Sequence, residues 1–79
     1  MYATIFYSKN TGRIATYCIT EVPQSLEYFG EDKVDYEQIY DYLVLEDNEQ
    51  VRFIIKNRDM FLVDVENRKI IQKTIDLDL

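Results

Sequence analysis

Two stretches near the start of the chain, residues 2 to 8 and 13 to 20, are dense in Ile, Tyr, Phe and Thr, the β-branched and aromatic side chains that suit a pleated surface. Between them, Ser8-Lys9-Asn10-Thr11-Gly12 supplies a glycine able to take a positive φ, which predicts a β-hairpin over residues 2 to 20 closed by a type I turn with a G1 bulge. With a period of two, Ala3, Ile5 and Tyr7 share one face of the first strand, and Ala15, Tyr17 and Ile19 share one face of the second. The opposite faces carry Tyr2, Thr4 and Phe6, and Ile14, Thr16 and Cys18, so neither face is marked as the solvent side.

Pro23 and the following Gln24-Ser25 break this pattern, because proline lacks an amide donor and biases its predecessor toward extended geometry. Beyond Phe29-Gly30-Glu31-Asp32, the residues Tyr36, Ile39, Tyr40 and Leu43 follow the spacing of an amphipathic helix. This predicts a short helix over residues 32 to 40, capped by Asp32, with Glu31 and Asp35 at the positive end of its dipole. Tyr42-Leu43-Val44-Leu45 already reads as a strand.

Residues 48 to 57 carry two signals. Asp47 with Gln50 forms a capping box ahead of helically spaced Val51, Ile54 and Ile55, whereas Val51-Arg52-Phe53-Ile54-Ile55 is also a strand-like run; the balance favours a helix. Residues 60 to 65 and 69 to 73 read as a second hairpin turning at Glu66-Asn67-Arg68, where Asn67 is the residue that tolerates the left-handed region. After it, Thr74-Ile75-Asp76-Leu77-Asp78-Leu79 alternates strictly and extends the face of Ile71 through Ile75, Leu77 and Leu79. Such a strand either crosses the chain's own sheet or assembles with another subunit. The expected architecture is one α+β domain over residues 1 to 79: two β-hairpins forming a mostly antiparallel sheet, with one or two short helices.

Composition adds limits. A chain of 79 residues with 47% hydrophobic and 30% charged positions can build a core but only a small one, and its single cysteine, Cys18, rules out an internal disulfide as a staple. The first residues show no basic segment followed by an apolar one, and no stretch is long and apolar enough to span a membrane, so the expected location is cytoplasmic. The net charge of -6 is concentrated: residues 27 to 49 hold nine carboxylates against Lys33 alone. Phosphate contacts need a basic face, so direct nucleic-acid binding is not expected, and a cationic partner suits the chain better than an anionic one.

Most catalytic chemistry is missing from the alphabet of this chain. Without histidine there is no Ser-His-Asp or Cys-His pair and no ordinary zinc site. Gly12 and Gly30 stand alone, so no phosphate-cradling loop exists. Asp32, Asp35 and Glu37 do not follow the spacing of a calcium loop, and Cys18 has no basic neighbour in sequence to activate it. An enzyme here would run on paired carboxylates alone; the acidic run reads instead as a solvated face. No metal, cofactor or small-molecule substrate is expected.

All seven tyrosines precede residue 43, four of them within the acidic third. Tyrosine brings a rigid apolar ring with a polar tip, which suits either half-buried packing or an interface. Glu31, Asp35, Tyr36, Glu37, Tyr40 and Asp41 are therefore the candidate partner surface, for a partner rich in Arg or Lys, and Ile71, Ile75, Leu77 and Leu79 are the candidate assembly strand.

Three strings carry a resemblance: Tyr7-Ser8-Lys9-Asn10-Thr11-Gly12-Arg13-Ile14; Phe29-Gly30-Glu31-Asp32 with Tyr36 and the run from Ile39 to Asp47; and the run from Phe61 to Ile70. In these the chain resembles small accessory proteins encoded near the tail and baseplate genes of phages and prophages of Gram-positive bacteria. The resemblance implies a non-enzymatic interaction or structural protein that binds a protein partner or itself, and can be incorporated into a virion. It carries no catalytic residues with it. An acidic inhibitor that mimics nucleic acid against a basic groove is the alternative expectation, and salt dependence of binding separates the two.

Overall fold

The computed structural model describes residues 1 to 73. The described chain runs in order through β1 (Tyr2–Ser8), β2 (Ile14–Thr20), a 3-10 segment (Leu26–Asp32), α1 (Lys33–Tyr36), β3 (Tyr40–Glu46), α2 (Glu49–Lys56), a short 3-10 turn (Arg58–Met60), β4 (Phe61–Asp64) and β5 (Lys69–Gln72). The fold is α+β. The two expected hairpins are present, but they belong to two sheets: β2-β1-β3 in one and β4-β5 in the other, all neighbours antiparallel. A bridge between Arg13 and Leu62 joins them.

β1 is the centre of the molecule. Ala3, Ile5, Phe6 and Tyr7 are fully buried, as is Thr4, because one face of the strand is covered by α2 and the β4-β5 hairpin and the other by the 3-10 segment. On the first face Ala3, Ile5 and Tyr7 join Ile14, Val51, Ile55 and Val63 in the main core. On the second, Phe6 lies against Tyr28 and Phe29. This double burial explains why the alternation of β1 names no solvent side. The Thr4 hydroxyl, buried on the second face, accepts the Gln24 amide at 3.2 Å and fixes the chain as it leaves β2.

The first turn forms as its glycine requires: Gly12 sits at φ +76, its amide donates to the Ser8 carbonyl and the Ser8 amide to that of Arg13, both at 2.9 Å. The register then slips. Phe6 faces Thr16 but Tyr7 faces Ile14, leaving Ala15 as an extra residue. Strict alternation puts Ile14 with Thr16 and Cys18; the bulge moves it to the Tyr7 face, where it is buried in the core.

Four local expectations are corrected. The helix expected over residues 32 to 40 is only the four residues of α1, and Tyr40 already pairs with Ser8 at the start of β3. The spacing of Tyr36, Ile39, Tyr40 and Leu43 fits a helix, but the β-rich run from Tyr40 finds the open edge of β1, and seven cross-strand pairs outweigh a marginal helix. Asp32 makes no side-chain cap; Ser25 does, accepting the Glu27 amide at the start of the 3-10 segment. α2 is a helix as favoured, but its cap is Asn48, whose Oδ1 accepts the Val51 amide at 2.9 Å, while Asp47 forms a two-pronged ion pair with Arg52. In the second hairpin Arg68, not Asn67, takes the positive φ of 54°. Asn67 instead donates to the Asp64 carboxylate, from its side chain at 2.8 Å and its amide at 3.3 Å.

Candidate functional site

The first part of the acidic third, the 3-10 segment and α1, folds as a cap on the second face of the sheet, and the rest continues into β3 and the start of α2. The cap's path is set by two local devices. Ser25 opens the 3-10 segment, and Gly30, at φ +61 and ψ -125, kinks it so that α1 starts in a new direction with the Lys33 amide donating to the Gly30 carbonyl. A β-carbon at Gly30 would meet nothing within 4 Å, so only the backbone angle demands glycine there.

The kink stacks the rings of this segment. From the buried Phe6, a chain of aromatics runs outward: Phe29 lies 4.6 Å from Phe6 between ring centres, Tyr36 lies 4.1 Å from Phe29 and nearly parallel to it at 11°, and Tyr40 follows at 5.6 Å. Tyr28 closes edge-on against Phe29 at 5.6 Å and is half exposed. Offset and tilted ring pairs of this kind add about 0.5 to 1.5 kcal/mol each beyond burial. Lys9, from the turn of the first hairpin, ties the far end: its amide donates to the Ile39 carbonyl at 2.9 Å and its ammonium to the Glu37 carbonyl.

On the same segment Glu27, Glu31, Asp32 and Asp35 are exposed. Of the six residues expected to form one surface, the fold brings five together: Glu31 and Asp35 on the outside, Tyr36 and Tyr40 in the stack, and Glu37 half-buried beside them. Asp41 departs. It faces Tyr7 across the β1-β3 pair and therefore projects from the other side of the sheet, where its carboxylate accepts the Tyr42 amide at 2.8 Å and, more distantly, the Tyr7 hydroxyl at 3.5 Å. Burial, with Asp41 beside it, pushes the Tyr7 phenol above its ordinary pKa. Asp41 is thus a structural partner of Tyr7. Phe29 and Lys9 are the members that sequence reasoning missed. Phe29 stands in what reads as a turn, and nothing local marks Lys9 as an anchor for residues 28 to 30 positions away.

Of the expected assembly strand, Ile71 lies on β5 opposite Leu62 and is 41% exposed; Ile75, Leu77 and Leu79 fall outside the described residues. Cys18 is buried on β2, and burial raises its thiol pKa, with Thr4 partly offsetting. Among the described residues no three Cys, Asp or Glu side chains converge as a metal site, and no helix is long and apolar enough to cross a membrane. No protein-family model, curated protein or solved structure was found to match the chain.

Proposed function

We propose that the protein is a non-catalytic interaction module whose acidic aromatic cap receives a cationic segment of a protein partner, and that it serves a phage or prophage as a small tail-associated component. The observation that carries the binding reading is the make-up of the cap: four exposed carboxylates, Glu27, Glu31, Asp32 and Asp35, stand on the same segment as the stacked rings of Phe29 and Tyr36 and the half-exposed ring of Tyr28. Arginine and lysine side chains are complementary to both parts, pairing with the carboxylates and lying on the ring faces. The stack is anchored on Phe6 in the core, so the surface is preformed and binding orders little of it. The phage assignment rests on the sequence resemblance.

A fluorescein-labelled peptide of alternating Arg and Leu residues tests the binding reading. Each exposed carboxylate contributes roughly 0.5 kcal/mol to a rim contact, so the triple variant Glu31→Gln, Asp32→Asn, Asp35→Asn weakens the peptide about tenfold. A control that neutralises Glu49, Asp59 and Glu66, which lie outside the cap, changes affinity much less. Equal losses in the two triple variants show that only net charge is being read, and sink the proposal.

A further inference from the structure

An apolar groove lies on the opposite side of the sheet from the cap. Tyr17 and Ile19 of β2 and Phe53 and Ile55 of α2 line it, and it holds about 450 Å³. Glu49, Arg52 and Lys56 stand along it too, on the same face of α2 as Phe53 by helical spacing. Phe53 is 57% exposed and Tyr17 39%, an open pair of rings in a very small domain.

The β2 wall of this groove is also a sheet edge. In the order β2-β1-β3, β2 pairs with β1, and among the described residues no second strand pairs with it; the Arg13–Leu62 bridge lies ahead of its first residue. Alternate amides and carbonyls of such an edge point outward and can pair with another extended chain. Tyr17 and Ile19 face the same way as their β1 partners Ile5 and Ala3, which pack with Val51 and Ile55 of α2. A strand added at this edge therefore sends every second side chain into the groove, toward Phe53.

The charge at the groove is opposite to that of the cap, and it is graded. The Asp47 amide donates to the Met1 carbonyl and Tyr2 pairs with Thr20, so the Glu49 end of α2 lies toward the Thr20 end of β2. At the other end the Arg58 guanidinium stands 5.8 Å from the centre of the Tyr17 ring. Lys56 is exposed and, among the described residues, pairs with no carboxylate, whereas Arg52 is already held by Asp47. The available cations thus gather at the Tyr17 end.

We propose that the β2 edge and this groove together receive an extended segment of a partner protein, added as a strand antiparallel to β2. Its groove-facing side chains are apolar beside Ile19, Tyr17 and Phe53, and the next one toward its carboxyl end is acidic, beside Lys56 and Arg58. Main-chain pairing with β2 supplies affinity, and the groove selects the side chains. This site is independent of the acidic cap and takes a segment of opposite charge.

A fluorescein-labelled peptide, Ser-Thr-Leu-Thr-Ile-Thr-Glu-Thr, tests it against the full chain. Phe53→Ala weakens the peptide about tenfold. Lys56→Glu weakens it about fivefold, and the same variant prefers a peptide with Lys in place of Glu. The cap variant Glu31→Gln, Asp32→Asn, Asp35→Asn changes neither affinity, and far-ultraviolet circular dichroism of all three proteins stays that of the parent. N-methylation of one alternate set of peptide amides abolishes binding, and of the other set does not, because only one edge of the peptide meets β2. Absence of saturable binding, affinity indifferent to Phe53→Ala and Lys56→Glu, or equal losses from the two N-methylated sets each overturns the proposal. A dimer in sedimentation that Phe53→Ala returns to monomer overturns it in favour of a second copy as the occupant.

Discussion

Gly12 and Val63 meet main chain to main chain. The Val63 amide donates to the Gly12 carbonyl at 2.8 Å, and a β-carbon on Gly12, which sits at φ +76, would fall 2.1 Å from the Val63 carbonyl oxygen. This contact and the neighbouring Arg13–Leu62 bridge tie the second sheet to the first. Gly12→Ala therefore meets two penalties, a strained backbone and a collision with rigid main chain, and costs more than about 3 kcal/mol. Gly30→Ala meets only the first and costs about 1 to 3 kcal/mol. Urea denaturation ranks the two, and hydrogen exchange at the Val63 amide accelerates in the Gly12 variant alone.

Phe29 joins the cap to the core, lying 4.6 Å from Phe6 on one side and 4.1 Å from Tyr36 on the other. Truncation to alanine removes both contacts and leaves a void above β1, so Phe29→Ala loses about 3 kcal/mol. Tyr28→Ala, at a ring that is 51% exposed, loses much less stability but weakens the cationic peptide. Thermal melting separates the first effect, and peptide affinity the second.

Arg68 holds φ +54 and its guanidinium donates to the Tyr42 carbonyl on β3 at 2.8 Å, so the second hairpin is tied at this end too. Arg68→Ala keeps the strained backbone and loses the tie, at about 1 to 2 kcal/mol. Arg68→Gly loses the same tie but relieves about 1 kcal/mol of strain, and comes out closer to the parent protein. The order of denaturation midpoints, parent then glycine then alanine, checks this.

Stability falls at both ends of the pH scale. Hydrogen bonds from Arg52 hold Asp47 below the ordinary carboxylate range, and those from Asn67 do the same for Asp64. A depressed folded pKa contributes stability above the unfolded value of about 4 and loses it as pH falls through the folded one. Cys18 and Tyr7 are shifted upward, chiefly by burial, so their neutral forms are favoured in the fold. That contribution is complete below the unfolded values, about 8.5 for the thiol and about 10 for the phenol, and declines as pH rises past them. Urea midpoints measured from pH 3 to 11 show a plateau between these limits, and Cys18→Ala flattens the first alkaline decline. A midpoint constant across the whole range contradicts the assignment.

Much of the fold is legible in the sequence where local chemistry and tertiary pairing agree. The first hairpin follows from β-rich runs on either side of Gly12, and the α2 helix from the spacing of Val51 and Ile55, both buried. The readings fail where a distant partner decides. Tyr40 obeys a helical period but is drawn into β3 by β1, and the position of Ile14 depends on a bulge that no local signal announces. At the candidate site, Tyr36, Tyr40 and the exposed carboxylates are legible as a tyrosine-rich acidic run. That Asp41 belongs to the opposite face follows only from its register with Tyr7, and that Phe29 is the keystone follows only from the kink at Gly30.

The central claim, that the acidic cap is the recognition surface, is tested most directly by titrating the isotopically labelled protein with the Arg/Leu peptide and following backbone amide shifts. The account predicts changes concentrated at Glu27 to Glu37 and at Tyr40, diminishing together as salt is raised. Changes centred on Phe53 and Tyr17, or spread evenly over every acidic residue of the chain, would contradict it.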